Sequence, residues 1–230
     1  MRVVDLSSWP RRELFAKFGA FRYPHFNVCA PVEVTALLPA AKQRGASLSA
    51  AIIYVVTRAA NEIPEFRYRI RGDTVVEHEV VHPSVTARVP GDLFSFAQVE
   101  FCEDFPAFAA RLAARLAQVE EEPTLTDEPG RDDLLFMTAL PWVSFTSFSH
   151  PMPSLPADSF PRFAWGKIYP EGGAARLPLS VQGHHALMDG IHLGRCFEKV
   201  QGYLAEPAAF LGSGKAAPDP GRPQPAAGSR

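Results

Sequence analysis

Three cysteines in 230 residues leave no disulfide framework to read. Cys29, Cys102 and Cys196 are widely spaced, form no pair suited to zinc or redox chemistry, and read as small apolar fillers. Charge of either sign is barely in excess: 23 Lys and Arg stand against 25 Asp and Glu, a net charge of −2. With no basic field to offer, the chain is a poor partner for nucleic acid or an anionic membrane. Long apolar runs are also missing. None approaches the roughly 20 residues that cross a bilayer, and the N-terminus lacks the pattern of a secretory signal, so a cytoplasmic protein is expected. No internal repeat, Walker loop, Rossmann glycine fingerprint or metal-spaced Cys/His cluster occurs. What remains is a chain that is 47% hydrophobic and 21% charged, of a length that suits one domain with a substantial core.

Periodicity divides that chain into alternating helices and strands. Arg11 to Phe18 reads as a short helix with Leu14, Phe15 and Phe18 on one side, and Pro24 keeps it from continuing into the strand Phe26 to Val34. Thr35 is positioned to cap a helix that Gly45 ends, and Ser47 or Ser49 to open another running to Ile63. Phe66 to Ile70 and Thr74 to Val80 predict a hairpin turning at Gly72; Val85 to Val89 and Leu93 to Phe101 predict two more strands around Pro90-Gly91-Asp92. An amphipathic helix follows from about Phe105 to Glu122, with Phe108, Leu112, Leu116 and Val119 in one stripe. Its Glu120-Glu121-Glu122 end reads as solvated rather than metal-binding. After a polar loop from Thr124 to Asp133, strand character resumes over Leu134 to Leu140, Trp142 to Phe148 and Phe163 to Tyr169, before Gly172-Gly173 turns into a last strand. Strands interspersed with helices predict an α/β, two-layer sandwich: a mixed β-sheet covered by helices on one face. A single domain is expected over residues 1–206, and a Pro/Ala/Gly-rich, disordered tail over 207–230.

The stretch Pro178 to His192 carries the chemistry. Leu177, Leu179, Val181, Gly183 and His185 share one strand parity, so His185 leaves the strand on its apolar side. Asp189-Gly190 then opens a helix bearing Ile191, Leu193, Phe197 and Val200. A neutral imidazole near its ordinary pKa of about 6.5 takes a proton at physiological pH, so His185 could act as general base on a hydroxyl or thiol attacking a carbonyl. Asp189 could hold its loop by pairing with a distant cation. Taken alone, two adjacent histidines at a strand end also fit a structural role. His184, His185, Asp189 and His192 could be drawn as a metal site, but strand parity separates the first two, and no metal is expected.

Three separate motifs narrow these readings. Trp9-Pro10-Arg11-Arg12-Glu13-Leu14-Phe15, Pro141-Trp142-Val143-Ser144-Phe145-Thr146-Ser147-Phe148 and His184-His185-Ala186-Leu187-Met188-Asp189-Gly190 together resemble the chloramphenicol acetyltransferase family, in its order and spacing, over roughly Trp9 to Leu204. The resemblance implies a CoA-dependent acyltransferase fold and acetyl transfer from acetyl-CoA to a hydroxyl, most simply of chloramphenicol, inactivating the antibiotic. It implies His185 as base, Ser147 as donor to the oxyanion, and Arg11 paired with Asp189 to order the loop. Substrate-binding positions by the same likeness are Phe18, Phe26, Phe94, Phe96, Phe145 and Ala164. A homotrimer is implied, with His185 of one subunit facing a pocket built mostly by its neighbour; Lys167 or Arg176 could meet a CoA phosphate. Two departures bear on the acceptor: Ala164 replaces a threonine, and bulky Phe96 stands where a small residue is usual. Another small alcohol therefore stays open as acceptor. So do a thiol, as in the dihydrolipoamide acyltransferases that share the histidine motif, although no lipoyl domain precedes it here, and a noncatalytic ligand-binding relative.

Overall fold

The element that places the chemistry is an eleven-residue strand near the C-terminus, and a computed structural model, describing residues 1–126, 128–153 and 157–212, shows what surrounds it. The chain runs β1 (Arg2–Val3), α1 (Arg12–Gly19), β2 (His25–Glu33), α2 (Leu37–Arg44), α3 (Leu48–Asn61), β3 (Tyr68–Arg71), β4 (Thr74–Glu77) and β5 (His82–Val89). It continues through β6 (Leu93–Gln98), α4 (Phe105–Glu121), β7 (Leu134–Leu140), β8 (Arg162–Gly166), β9 (Tyr169–Glu171), β10 (Ala174–His184) and α5 (Gly190–Ala205). Seven strands form one mixed sheet in the order β2-β10-β8-β7-β5-β6, with β9 paired to β10. The contacts β5·β7 and β7·β8 are parallel, the others antiparallel.

Side-chain parity decides which face is covered. Val85, Leu135, Met137, Phe163, Trp165, Leu177, Leu179 and Val181 pack with α3, α4 and α5 in one core. Within α3, Ile52, Ile53, Val55 and Val56 are at most 4% exposed; each such side chain contributes roughly 1.5–3 kcal/mol by leaving water. That broad apolar face fixes the helix against the sheet more firmly than its intrinsic propensity could. Opposite parity puts Asn27, Ser84, Thr86, Thr138, Ser180 and Gln182 on the helix-free face. The expected α/β sandwich with helices on one face is therefore the observed architecture.

Local signals held in most places and failed for identifiable reasons elsewhere. Gly45 closes α2 in the left-handed conformation at φ 64°, and the Ser47 hydroxyl caps α3 by accepting from the Ala50 N–H. Thr35 does not cap α2: its hydroxyl accepts instead from the Ala175 N–H on β10 at 2.9 Å, and the helix starts after Ala36. The β3–β4 hairpin exists, but joins β1 in a separate three-stranded sheet. Arg69 pins it to the main sheet, since this 1%-exposed guanidinium donates to the carbonyls of Phe66, Tyr68, Asp132 and Leu134. Burial draws its pKa down to about 10, so the cation persists at neutral pH and is satisfied by four acceptors.

Two strand expectations are corrected. Trp142 to Phe148 forms no strand, because the chain turns at Pro141-Trp142 and then crosses the helix-free face irregularly. Phe163 to Tyr169 is two strands, broken after Gly166. The core also runs past residue 206: Pro207–Ala209 makes a 3-10 turn, and Phe210 and Leu211 are buried at 5% and 2% exposure. The remainder of the expected tail, 213–230, lies outside the described residues.

Candidate active site

At its C-terminal end β10 pairs with β2, His184 opposite His25, and the next residue turns away. The His185 N–H donates to the Pro24 carbonyl at 2.8 Å, which anchors the turn to the start of β2. Its ring lies between two aromatics: Phe18 stacks on it at 3.9 Å between centroids and 14° between planes, and Phe26 lies at 4.8 Å. Nδ1 is 3.2 Å from the Met188 carbonyl and 3.1 Å from Asp189 Oδ1. A carbonyl oxygen only accepts, so that contact places the proton on Nδ1 and leaves the Nε2 lone pair available. The side chain is 35% exposed.

Behind the ring, Arg11 and Asp189 meet as the sequence resemblance implied. Arg11 donates from both terminal nitrogens to the carboxylate, at 2.5 and 3.2 Å, and to the His185 carbonyl at 3.2 Å. These bonds hold the Asp189 carboxyl below its usual range, the Arg11 hydrogen bond being the larger cause. Residues 178 apart in sequence thus clamp the His185 turn from outside. Gly183 makes the turn possible from within: a Cβ there would overlap the Met188 sulfur and sit 2.8 Å from its Cγ. His184, by contrast, points to the helix-free face beside His25, where burial chiefly lowers its pKa to about 4.

A second feature occupies the other half of the sheet. An open groove of about 1180 Å³ is lined by Ser84, Thr86, Phe94, Phe96, Phe136, Thr138, Trp142, Phe148, His150, Asp158, Phe160 and Arg162, among others. Phe94 and Phe96 contact one another at 5.7 Å. Arg162 is held by Asp158 through two bonds of 2.7 and 2.6 Å. Pro141, Trp142 and Phe148 form one wall, in a segment pinned by the Lys167 N–H donating to the Val143 carbonyl at 2.8 Å and by Asn27 donating to the Phe148 carbonyl. Gly166 lets that wall lie close, since a Cβ there would be 2.7 Å from the Val143 oxygen. Ser147 is exposed in the same segment but is not among the residues that line the groove; Phe145 packs on Phe148 at 5.5 Å, and Ala164 is fully buried on β8 between Thr138 and Ser180.

The structure brings together only some of the sequence-derived residues. Arg11, Phe18, Phe26, His185 and Asp189 gather around the imidazole, and Phe94 and Phe96 line the groove; Ser147, Phe145 and Ala164 do neither. His185 is not among the groove's lining residues, and no hydrogen bond joins it to Ser147 among the described residues. Sequence reasoning missed Trp142, Phe136, Phe160 and Arg162 as groove residues. Strand parity separated Phe136 and Thr138 from Leu135 and Met137, but nothing in the sequence said which face stays free of helices.

The site thus offers an imidazole at the end of β10, with Nδ1 engaged by a carbonyl, and a groove elsewhere on the same sheet. Solved structures share the fold: a chloramphenicol acetyltransferase is 26% identical with a TM-score of 0.77, covering 88% of this chain and 99% of the other. A dihydrolipoamide acetyltransferase of Azotobacter vinelandii, 16% identical with a TM-score of 0.67 over 87% and 88% of the two chains, shares the fold alone. Residues 1–201 match the chloramphenicol acetyltransferase family, and the chain belongs to it. It is accordingly an enzyme of the CoA-dependent acetyltransferase class. Among curated relatives, the chloramphenicol acetyltransferase of Proteus mirabilis is 31% identical over 205 residues, 89% of this chain and 94% of that protein. Chloramphenicol acetyltransferase 2 of Escherichia coli is 30% identical over 200 residues, 86% and 94% of the two.

Proposed function

We propose that this protein transfers the acetyl group of acetyl-CoA to a hydroxyl of a small acceptor, with His185 as general base. One observation carries the reading: the His185 ring is held by Phe18 and Phe26 with Nδ1 engaged by a carbonyl, so Nε2 alone is free to take a proton. Nε2 removes the acceptor's hydroxyl proton, the alkoxide attacks the thioester carbonyl, and a tetrahedral oxyanion forms. Ser147 donates its hydroxyl to that oxyanion; the intermediate then expels the CoA thiolate, which receives the proton back from His185. No acyl-enzyme is needed.

His185 does not line the groove of its own chain, which favours assembly of each site from two copies. In a cyclic homotrimer, His185 of one subunit faces the Phe94 and Phe96 groove of the next, giving equivalent sites at each interface. Exposed Phe21, which packs on Phe18 over the imidazole, and Leu93, Phe94 and Trp142 at the groove, are apolar surfaces such contacts would cover. The acceptor we favour is chloramphenicol, on the names of relatives near 31% identity, and the compartment the cytoplasm. Phe96 and the Asp158–Arg162 pair shape the groove, so the rate on chloramphenicol relative to other small alcohols is the quantity to measure.

The experiment is free-thiol release from acetyl-CoA by the purified protein, with chloramphenicol, other small alcohols and dihydrolipoamide as acceptors. Acceptor-dependent release by the parent, lost in a folded His185→Ala variant, is expected. Variant activity within about tenfold of the parent would remove His185 as the base. Faster release with dihydrolipoamide would move the acceptor class to thiols.

A further inference from the structure

His192 faces the peptide that holds the base, and the geometry points to its being a positioning residue for His185. That role rests on His185 being the base proposed above, and deepens it. The Asp189 N–H donates to His192 Nδ1 at 2.8 Å. The Met188 carbonyl, which belongs to the same peptide unit, receives His185 Nδ1 at 3.2 Å. Because a peptide unit is planar and rigid, gripping its N–H fixes the direction of its C=O. The two imidazoles are therefore linked through one amide: His185 Nδ1–H to the Met188 oxygen, Asp189 N–H to His192 Nδ1.

The far side of His192 completes the chain. Its Nδ1 accepts, so the neutral ring carries its proton on Nε2, and Nε2 lies 3.4 Å from Glu65 Oε1 in the 3-10 turn Pro64–Arg67. His192 is 8% exposed, and burial is the main cause of its lowered pKa, which keeps the ring neutral and Nδ1 able to accept. Hydrogen bonds in series polarise one another. An amide whose N–H is engaged presents a stronger carbonyl acceptor, and a stronger acceptor holds the His185 proton on Nδ1. The alternative tautomer would carry that proton on Nε2, the atom that must be empty to act as base. His192 and Glu65 thus act beside the Asp189 carboxylate, whose Oδ1 also lies 3.1 Å from His185 Nδ1, in holding the tautomer and the direction of His185 without touching substrate.

The test compares His192→Phe, His192→Asn and Glu65→Leu by steady-state kinetics, and by the ¹⁵N chemical shifts of labelled imidazoles. Asparagine can return an acceptor to the Asp189 N–H; phenylalanine cannot. For His192→Phe a fall in kcat of about tenfold or more is expected, with KM for acetyl-CoA changed less than about threefold. Rescue of kcat by His192→Asn and a shift of His185 from the Nδ1–H toward the Nε2–H form should accompany it. Should His192→Phe not fold, Glu65→Leu makes the same comparison, with a drop of about threefold or more and the same direction of tautomer shift. An unchanged His185 tautomer, or kcat within about twofold of the parent in the folded variant, overturns the inference. Absence of turnover in the parent protein would sink the proposed reaction instead, while the tautomer measurement would still test the link between the imidazoles.

Discussion

Gly183→Ala is the substitution whose consequence the structure fixes most narrowly. Gly183 lies in ordinary extended strand, so alanine meets no backbone penalty there. Its Cβ, however, would overlap the Met188 sulfur and crowd Met188 Cγ at 2.8 Å. Met188 is 1% exposed and belongs to the main core, so its flexible side chain has little room to give way, and overpacking of this kind costs about 1–3 kcal/mol. Moving Met188 also moves its carbonyl, which holds His185 Nδ1, so kcat should fall with the stability. Met188→Ala alone should cost about 2–5 kcal/mol through the cavity it leaves. Combined, the two should cost less than their sum by at least about 1 kcal/mol, because the new methyl enters space the sulfur has vacated. Urea unfolding midpoints of the four proteins give the coupling energy, and thiol release gives the matching rates. Simple additivity of the two substitutions, or a Gly183→Ala protein as stable and active as the parent, would refute the packing argument.

Asp189→Asn keeps the shape of the side chain but removes the charge that Arg11 grips. Both turnover and stability should drop, and the variant should lose less stability on acidification: the parent's lowered carboxyl pKa contributes above the unfolded carboxylate range and is lost as pH falls through the folded value. Identical acid-unfolding curves would contradict this. Buried His184, with its pKa lowered to about 4, refuses a proton that the unfolded chain accepts near 6.5; stability should therefore decline by up to about 3 kcal/mol between pH 6.5 and 4. A folded His184→Asn protein should show a shallower decline over that window, and an equal slope would count against burial as the cause. Ser147→Ala should lower kcat by about 10²- to 10³-fold with little change in acceptor KM. A change confined to KM would assign Ser147 to binding.

Much of this fold was legible because its helices and strands differ sharply in period and are punctuated by Pro and Gly. The imidazole group was legible in part: residue types and spacing marked His185 and Asp189, whereas Arg11 as the partner of Asp189 came only through family likeness. The groove was harder to read. Phe94 and Phe96 were found only through family likeness, and Phe136, Phe160 and Arg162 not at all, because which sheet face stays uncovered depends on how the helices pack. Trp142 to Phe148 misled for a related reason. Its composition is that of a strand, yet no neighbour accepts it edge to edge, and Lys167 and Gly166 hold it instead as an irregular wall. His192 read as a loose metal candidate until its partners, one of them in a turn more than a hundred residues earlier, were in view.

Mixed oligomers test most directly whether each site is built from two copies. His185→Ala removes the proposed base and leaves the groove; Phe94→Arg obstructs the groove at a position 51% exposed and leaves His185 intact. Each variant alone should be nearly inactive. Dissociated together at equal amounts and reassembled, they should regain about a quarter of the parent's activity, the fraction of interfaces in a cyclic assembly that pair an intact base with an intact groove. Activity no greater than the sum of the two separate variants would place base and groove in the same chain and contradict the shared site.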